Sequence, residues 1–175
     1  MNYFELFALP TSFDLDVGEL KAKYLELQRH VHPDNFANAT ERERLMAVQK
    51  AAQINDGFDV LKNTDSRAQH ILSLNGVELA HETQTLKDPM FLMQQMELRE
   101  ALEDIPSAGD PESALMDFQD EVNGYIKAIN RSFSQLFATG DQASFEKAGD
   151  EVRKLKFMLK LSQEAIALED KLFDF

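Results

Sequence analysis

Residues 16–36 read DVGELKAKYLELQRHVHPDNF, and residues 40–61 read TERERLMAVQKAAQINDGFDVL. In the first stretch Leu20, Tyr24, Leu27 and Val31 recur at steps of four, three and four. That spacing predicts one apolar stripe along a helix. Asp16 with Glu19 makes a cap and capping-box start. Pro33 stops the helix, because it lacks an N–H and disfavours helical geometry at the residue before it. In the second stretch Thr40 and Glu43 form another capping box, and Leu45, Val48, Ala52, Asn55 and Phe58 are read as a second stripe ending near Leu61. A polar connection joins the two, so they are expected to pack as an antiparallel hairpin. A short apolar lead (Tyr3, Phe4, Leu6, Phe7, Leu9) and a follower (Ala68, Ile71, Leu72, Leu74) would cover the pair.

Beyond the hairpin, Asn75–Asp88 loses periodicity and reads as a linker, with room for one helical turn. A helix is expected from Pro89 to before Pro106. Another opens at Asp110-Pro111, a cap followed by proline at the first helical position. Its stripe is Leu115, Phe118, Val122, Tyr125, Ile129, Phe133 and Leu136. After the break at Gly140-Asp141, a last helix carries Phe145, Ala148, Val152, Leu155, Leu159 and Ile166. Strand signals are scarce. The expected fold is all-α, with a helical hairpin and accessory helices over 1–75, a linker over 76–88, and a three-helix bundle over 89–175.

The chain has 175 residues, 43% of them apolar and 28% charged, enough for a core in one full domain or two small ones. Its net charge is −13. This balance speaks against nucleic-acid or anionic-membrane binding, where Lys and Arg neutralise phosphates. Residues 1–75 hold eight basic and eleven acidic side chains, net −3, whereas 76–175 hold ten and twenty, net −10. The acidity therefore belongs to the C-terminal part. There is no cysteine, which excludes disulfides, thiol nucleophiles and thiolate-held zinc or iron–sulfur clusters. No signal peptide is visible, and no apolar run approaches the roughly 20 residues needed to span a bilayer. A cytoplasmic protein without a bound metal or cofactor is expected.

His32-Pro33-Asp34 is the first candidate for function. Its plain reading is a helix stop and polar turn. A metal site from His30, His32 and Asp34 is poorly supported, since residues i and i+2 on a helix point apart. An enzyme using His32 and Asp34 as an acid–base pair lacks a nearby phosphate loop or nucleophile elbow. A second candidate lies in Phe91-Leu92-Met93 and Met96, too many apolar residues for one helix face. At 100° per residue, Phe91, Leu98, Leu102 and Ile105 share the face that suits a core. Met93, Met96, Glu97 and Glu100 then fall on roughly the opposite face, with Leu92 at its margin, as an adaptable patch edged by acid. The plain alternative has Leu92 and Met96 filling a crevice against the N-terminal part. Phe157 lies about 200° round from Leu155, among Arg153, Lys154, Lys156 and Lys160, which reads as a basic solvent face. The carboxylates of Glu97–Asp104 spread along a face without the compact loop of a cation site. His70 and His81 read as local packing or solvated residues.

The N-terminal segment resembles a J-domain, the module by which co-chaperones engage DnaK-type ATPase chaperones. The matching pieces are Tyr3-Phe4-Glu5-Leu6-Phe7-Ala8-Leu9, Leu20-x3-Tyr24-x2-Leu27, His32-Pro33-Asp34 and Ile54-Asn55-Asp56-Gly57-Phe58-x2-Leu61. The match runs on through Arg67-Ala68-x2-Ile71-Leu72-Ser73-Leu74-Asn75-Gly76. With Phe91-Leu92-Met93 and Val152-Arg153-Lys154-Leu155, nearly the whole chain is similar to the HscB family, J-type co-chaperones of iron–sulfur cluster assembly. The resemblance implies that His32, Pro33 and Asp34, with Lys21, Lys23 and Arg29, contact a chaperone of the HscA kind and stimulate its ATPase. It implies that Leu92, Met93, Met96, Glu97, Glu100, Asp104 and Phe157 bind an IscU-like scaffold, with the first and third bundle helices side by side. The basic face is sparse, being interrupted by Glu19 and Glu26, and Asn35 stands where many relatives have lysine. A general J-type co-chaperone for unfolded clients is the rival reading; it would favour a broad, neutral apolar surface.

Overall fold

The computed structural model describes residues 1–79 and 88–173. Among them there are helices and no strand: α1 Tyr3–Leu6, α2 Val17–His30, α3 Glu41–Lys62, α4 Thr64–Leu74, α5 Pro89–Asp104, α6 Pro111–Thr139 and α7 Gln142–Phe173. Short 3-10 turns follow α2 (Pro33–Phe36) and α5 (Ile105–Ser107). The expected fold class, all-α, is the observed one. None of the described helices is long and apolar enough to cross a membrane. The chain divides into two compact units, Met1–Gly76 and Val77–Phe175. The helical turn envisaged within 76–88, and His81, fall on or about residues 80–87, outside the described residues.

Local chemistry starts these helices. Asp16 Oδ1 accepts from the amides of Gly18 and Glu19 at the head of α2, while the Glu19 carboxylate turns to Lys23 instead of closing the box. At α3 the box is complete: Thr40 Oγ1 accepts from Glu43 N–H, and Glu43 Oε2 accepts from Thr40 N–H, both at 3.2 Å. Gly140 ends α6 at φ 68°, a left-handed conformation that costs glycine little.

In the first unit α1, α2 and α4 all pack on α3. The core holds Phe4, Phe7, Leu20, Ile54, Leu61, Ala68 and Leu72. Here the expected stripe of α3 is corrected. Leu45 and Val48 are 58% and 66% exposed, and the buried line is Ile54, Gly57 and Leu61. Leu45 precedes Ile54 by nine residues, which is half a turn at 100° each, so the two cannot share a face. Gly57 shows why the Ile54 face wins. A Cβ there would lie 2.9 Å from Tyr3 Cδ1 and 3.1 Å from Phe7 Cε2, so only glycine lets α1 approach so closely. Above this contact His70 Nε2 accepts from Tyr3 N–H at 3.3 Å, and its ring lies against Tyr3 and Phe4.

In the second unit α6 and α7 form an antiparallel pair joined at Gly140-Asp141, with α5 alongside. Leu115, Phe118, Val122, Ile129 and Phe133 are buried on α6, as their spacing predicts. On α7 Ala148, Val152 and Leu155 are buried, but the line continues through Met158, Leu161 and Ala165, while Ile166 is exposed. The shift has a physical cause. α7 has two neighbours and buries two arcs, one against α6 and one, about 200° from Leu155, against α5.

Candidate functional site

The first candidate site is the turn after α2. Val31 N–H closes the helix onto Leu27 O, and Pro33, with no N–H, opens the 3-10 turn. His32 Nδ1 accepts from the Asp34 amide at 3.2 Å, so the neutral ring carries its proton on Nε2. Asp34 Oδ2 lies 3.6 Å from the same Nδ1. Both side chains face solvent, His32 at 59% and Asp34 at 91% exposure. An imidazole N–H donor and a carboxylate acceptor therefore stand side by side on a short turn, both open to solvent. Lys21 and Arg29 are exposed on α2. Lys23 is half-buried and donates to Ala8 O at 3.0 Å, bracing a residue held at φ 53°. Among the described residues no group of three His, Asp or Glu side chains is arranged to hold a metal.

Two features that hold the first unit together were not read from the sequence. Tyr24 Oη and Gln28 Nε2 both donate to Asn55 Oδ1, at 2.7 and 2.6 Å, and Tyr24 stacks on Phe58 with ring centroids 4.2 Å apart. Asn55, assigned to an apolar stripe, is the polar hub joining α2 to α3. Arg67 is the other. It is 4% exposed, its Nε donates to Leu61 O at 2.7 Å, its Nη1 donates to Phe13 O at 2.8 Å, and its guanidinium covers the Phe13 ring. Burial pushes its pKa down, opposed by the charge of Asp14. A lone arginine four residues before Ile71, on the apolar side of α4, was the available signal.

The second candidate site is the outer face of α5. Asp88 caps the helix, its Oδ1 accepting from Met90 and Phe91 amides at 3.1 and 3.2 Å, and its Oδ2 pairs with Lys154 of α7 at 3.5 Å. These contacts, led by the Phe91 amide, hold its carboxyl below the usual range. With Phe91 and Leu98 buried, Leu92, Met93 and Met96 are 57%, 61% and 65% exposed. Met93, Glu97, Glu100 and Asp104 run down one line of the helix, and all four are exposed. Met93 and Glu97 also line a shallow groove with Gln94, Tyr125 of α6 and Lys154 of α7. Leu92, Met96 and Arg99 run down the adjacent line.

Phe157 departs from its expected solvent face. It is half-buried, edge-on to Phe91 with centroids 5.7 Å apart, and the Arg99 guanidinium lies 5.6 Å over its ring. Arg99 is itself paired with Glu164 of α7. The basic neighbours suggested solvent because the position of α5 is not written in α7's own spacing. The structure thus brings Phe157 to the Arg99 side of α5, while Met93 and Glu97 occupy the Tyr125 side.

Comparison with known proteins gives a consistent picture. Residues 87–166 match the family described as the HSCB C-terminal oligomerisation domain. The chain is 56% identical to a co-chaperone protein HscB homolog of Vibrio campbellii, covering 98% of this chain and 99% of that one. It is 51% identical to the homolog of Shewanella denitrificans, over 99% of this chain and 100% of the relative. Among solved structures, chaperone HscB from Vibrio cholerae superimposes with a TM-score of 0.84 at 47% identity, covering 99% of this chain and 100% of that one. The human co-chaperone protein HscB superimposes with a TM-score of 0.88 at 27% identity, covering 98% of this chain and 84% of the human one.

Proposed function

Since the chain belongs to the HscB co-chaperone family, we propose that it is a J-type co-chaperone of iron–sulfur cluster assembly. In this reading residues 1–75 act as the J-domain and stimulate the ATPase of an HscA-type chaperone, while residues 89–175 carry an IscU-like scaffold to it. The observation that carries the reading is the exposed His32–Asp34 turn at the end of the α2–α3 hairpin. Asp34 offers a carboxylate to a chaperone arginine, and a charge-assisted pair of this kind is directional as well as strong. Lys21, Lys23 and Arg29 on α2 steer the approach to an acidic surface. Hydrolysis takes place in the chaperone; this chain supplies no group to the reacting phosphate.

The acid-edged, methionine-rich face of α5 supports a defined folded client over a broad range of unfolded ones. Leu92, Met93 and Met96 supply apolar area, and Glu97, Glu100 and Asp104 supply the charged edge. The test is the chaperone's ATPase rate with this protein and an IscU-like scaffold, added separately and together. Each is expected to accelerate hydrolysis, and the pair to do so more than additively. His32→Gln and Asp34→Asn should abolish the stimulation by this protein with helix content intact. Unchanged stimulation by both variants at saturation would refute the assignment of the turn.

A further inference from the structure

The turn that carries His32 and Asp34 is closed by a side chain outside the three residues. Asn35 Nδ2 donates to Arg29 O at 2.6 Å and reaches His30 O at 3.4 Å, while Asn35 N–H donates to His32 O at 2.9 Å. Both oxygens facing the carboxamide are acceptors only, which fixes its NH2 toward them. They are among the last carbonyls of α2, which no amide four residues on reaches; Arg29 O is otherwise met by the His32 amide at 3.5 Å. Pro33 cannot supply an N–H to them, so the chain turns and Asn35 supplies one from its side chain. We propose that Asn35 is a positioning residue: by capping α2 from beyond the turn, it holds His32 and Asp34 in the conformation that the chaperone reads.

The proposal rests on the co-chaperone reading and deepens it. His32, Pro33 and Asp34 are exposed, and the turn's contact with α3 leaves their side chains in solvent, so their conformation leans on local hydrogen bonds. Asp34 N–H to His32 Nδ1 and Asn35 N–H to His32 O close the turn on itself, and the Asn35 carboxamide ties it back to α2. Without the cap a smaller fraction of the free protein has the turn closed, and the apparent affinity for the chaperone falls by that fraction. The hydrolytic trigger, once bound, is unchanged. Asn35 therefore acts on the concentration needed for stimulation and leaves its maximum alone.

The test uses the full chain with Asn35→Asp and Asn35→Ala. The first keeps the shape, removes the donors and sets a negative charge against the carbonyl end of α2; the second removes the side chain without adding charge. For both, the half-maximal concentration in the ATPase titration should rise roughly three- to tenfold, from loss of about one hydrogen bond. Maximal stimulation should hold, and the melting temperature should fall by a few degrees, at most about 10 °C. In the free protein, exchange of the Asp34 amide, followed by NMR, should accelerate. An unchanged half-maximal concentration, or a fall in the maximum, overturns the proposal. So does a raised half-maximal concentration with unaltered Asp34 exchange, which would make Asn35 a direct chaperone contact. If the unsubstituted protein fails to stimulate the chaperone, the co-chaperone reading falls, and Asp34 exchange in the free protein still decides whether Asn35 holds the turn.

Discussion

Met93→Ala and Phe157→Ala, measured side by side, separate the two roles that the α5 face combines. Met93 is 61% exposed, so removing it opens little cavity, and a surface substitution of this kind stays within about 0.5 kcal/mol. In a unit of this size that is a melting shift of at most about 4 °C, at 4–8 °C per kcal/mol. On the proposed reading its value lies in the complex with a scaffold. Burying a whole methionine is worth about 1.5–3 kcal/mol, and roughly three fifths of that remains to be gained against a scaffold. The expected loss is about 1–2 kcal/mol, or about five- to thirtyfold in Kd.

Phe157 is different because it is already half in use. Its edge contact with Phe91 is worth about 0.5–1.5 kcal/mol, and the Arg99 guanidinium over its ring about 0.5–1 kcal/mol. Phe157→Ala should therefore destabilise the second unit by about 1–2.5 kcal/mol, a melting drop of roughly 5–20 °C, and also weaken scaffold binding. Leu98→Ala, 3% exposed in the native chain, is the core control and should cost about 2–5 kcal/mol of stability. Thermal melts by circular dichroism and titration calorimetry with an IscU-like scaffold give both numbers for each variant. If Met93→Ala melts many degrees lower and binds normally, Met93 is a packing residue and the outer face of α5 is not the client surface.

Arg67→Met leaves Leu61 and Phe13 carbonyls without their donor in a buried place; the expected cost is about 2–4 kcal/mol, read as an early melt in the first unit, and a melting shift under about 2 °C would show that the arginine is dispensable. His70 should make stability pH-dependent. Burial lowers its pKa, so the folded state favours the neutral ring that accepts from Tyr3 N–H. The unfolded chain thus binds more protons near the ordinary imidazole value of about 6.5, and stability is full above it and declines as pH falls through it toward the folded pKa. Melting temperatures from pH 8 to pH 5 should show an acid-side loss that is smaller in His70→Gln; parallel curves would rule this linkage out. Residues 1–76, which have their own core, should fold alone and stimulate the chaperone without binding the scaffold, and scaffold binding by that fragment in calorimetry would place the client site in the wrong unit.

What could be read in the sequence was what short-range chemistry decides. Asp16, the Thr40–Glu43 pair, Asp88-Pro89, Asp110-Pro111 and Gly140 start or stop helices through groups within three or four residues, and the helices begin and end there. Which arc of a helix is buried is a different question, because a step of three or four draws more than one line on the same cylinder. On α3 the tie between the Leu45 and Ile54 arcs is broken by Tyr3 and Phe7, some fifty residues away, pressing on Gly57. On α7 the Phe157 arc is claimed by Phe91 and Arg99, about sixty residues away, and its basic neighbours in sequence pointed the other way.

The candidate sites divide by the same rule. Leu92, Met93 and Met96 were legible because they exceed what one buried face of α5 can hold, a count internal to the helix. The Lys23 contact was not, because it is made to the carbonyl of Ala8, exposed to it by a left-handed residue in another segment. Asn35 is the instructive case, since its partners Arg29 and His30 are only six and five residues away and still escaped a reading by residue type. Pro33 is the reason. By ending the helix it removes the periodicity that lets spacing stand for geometry, so a contact back across the turn has no sequence signature. Residues just past such a stop are where a functional turn's supporting bonds are hardest to read from sequence, and where substitutions at an exposed position should weaken binding with only a small loss of stability.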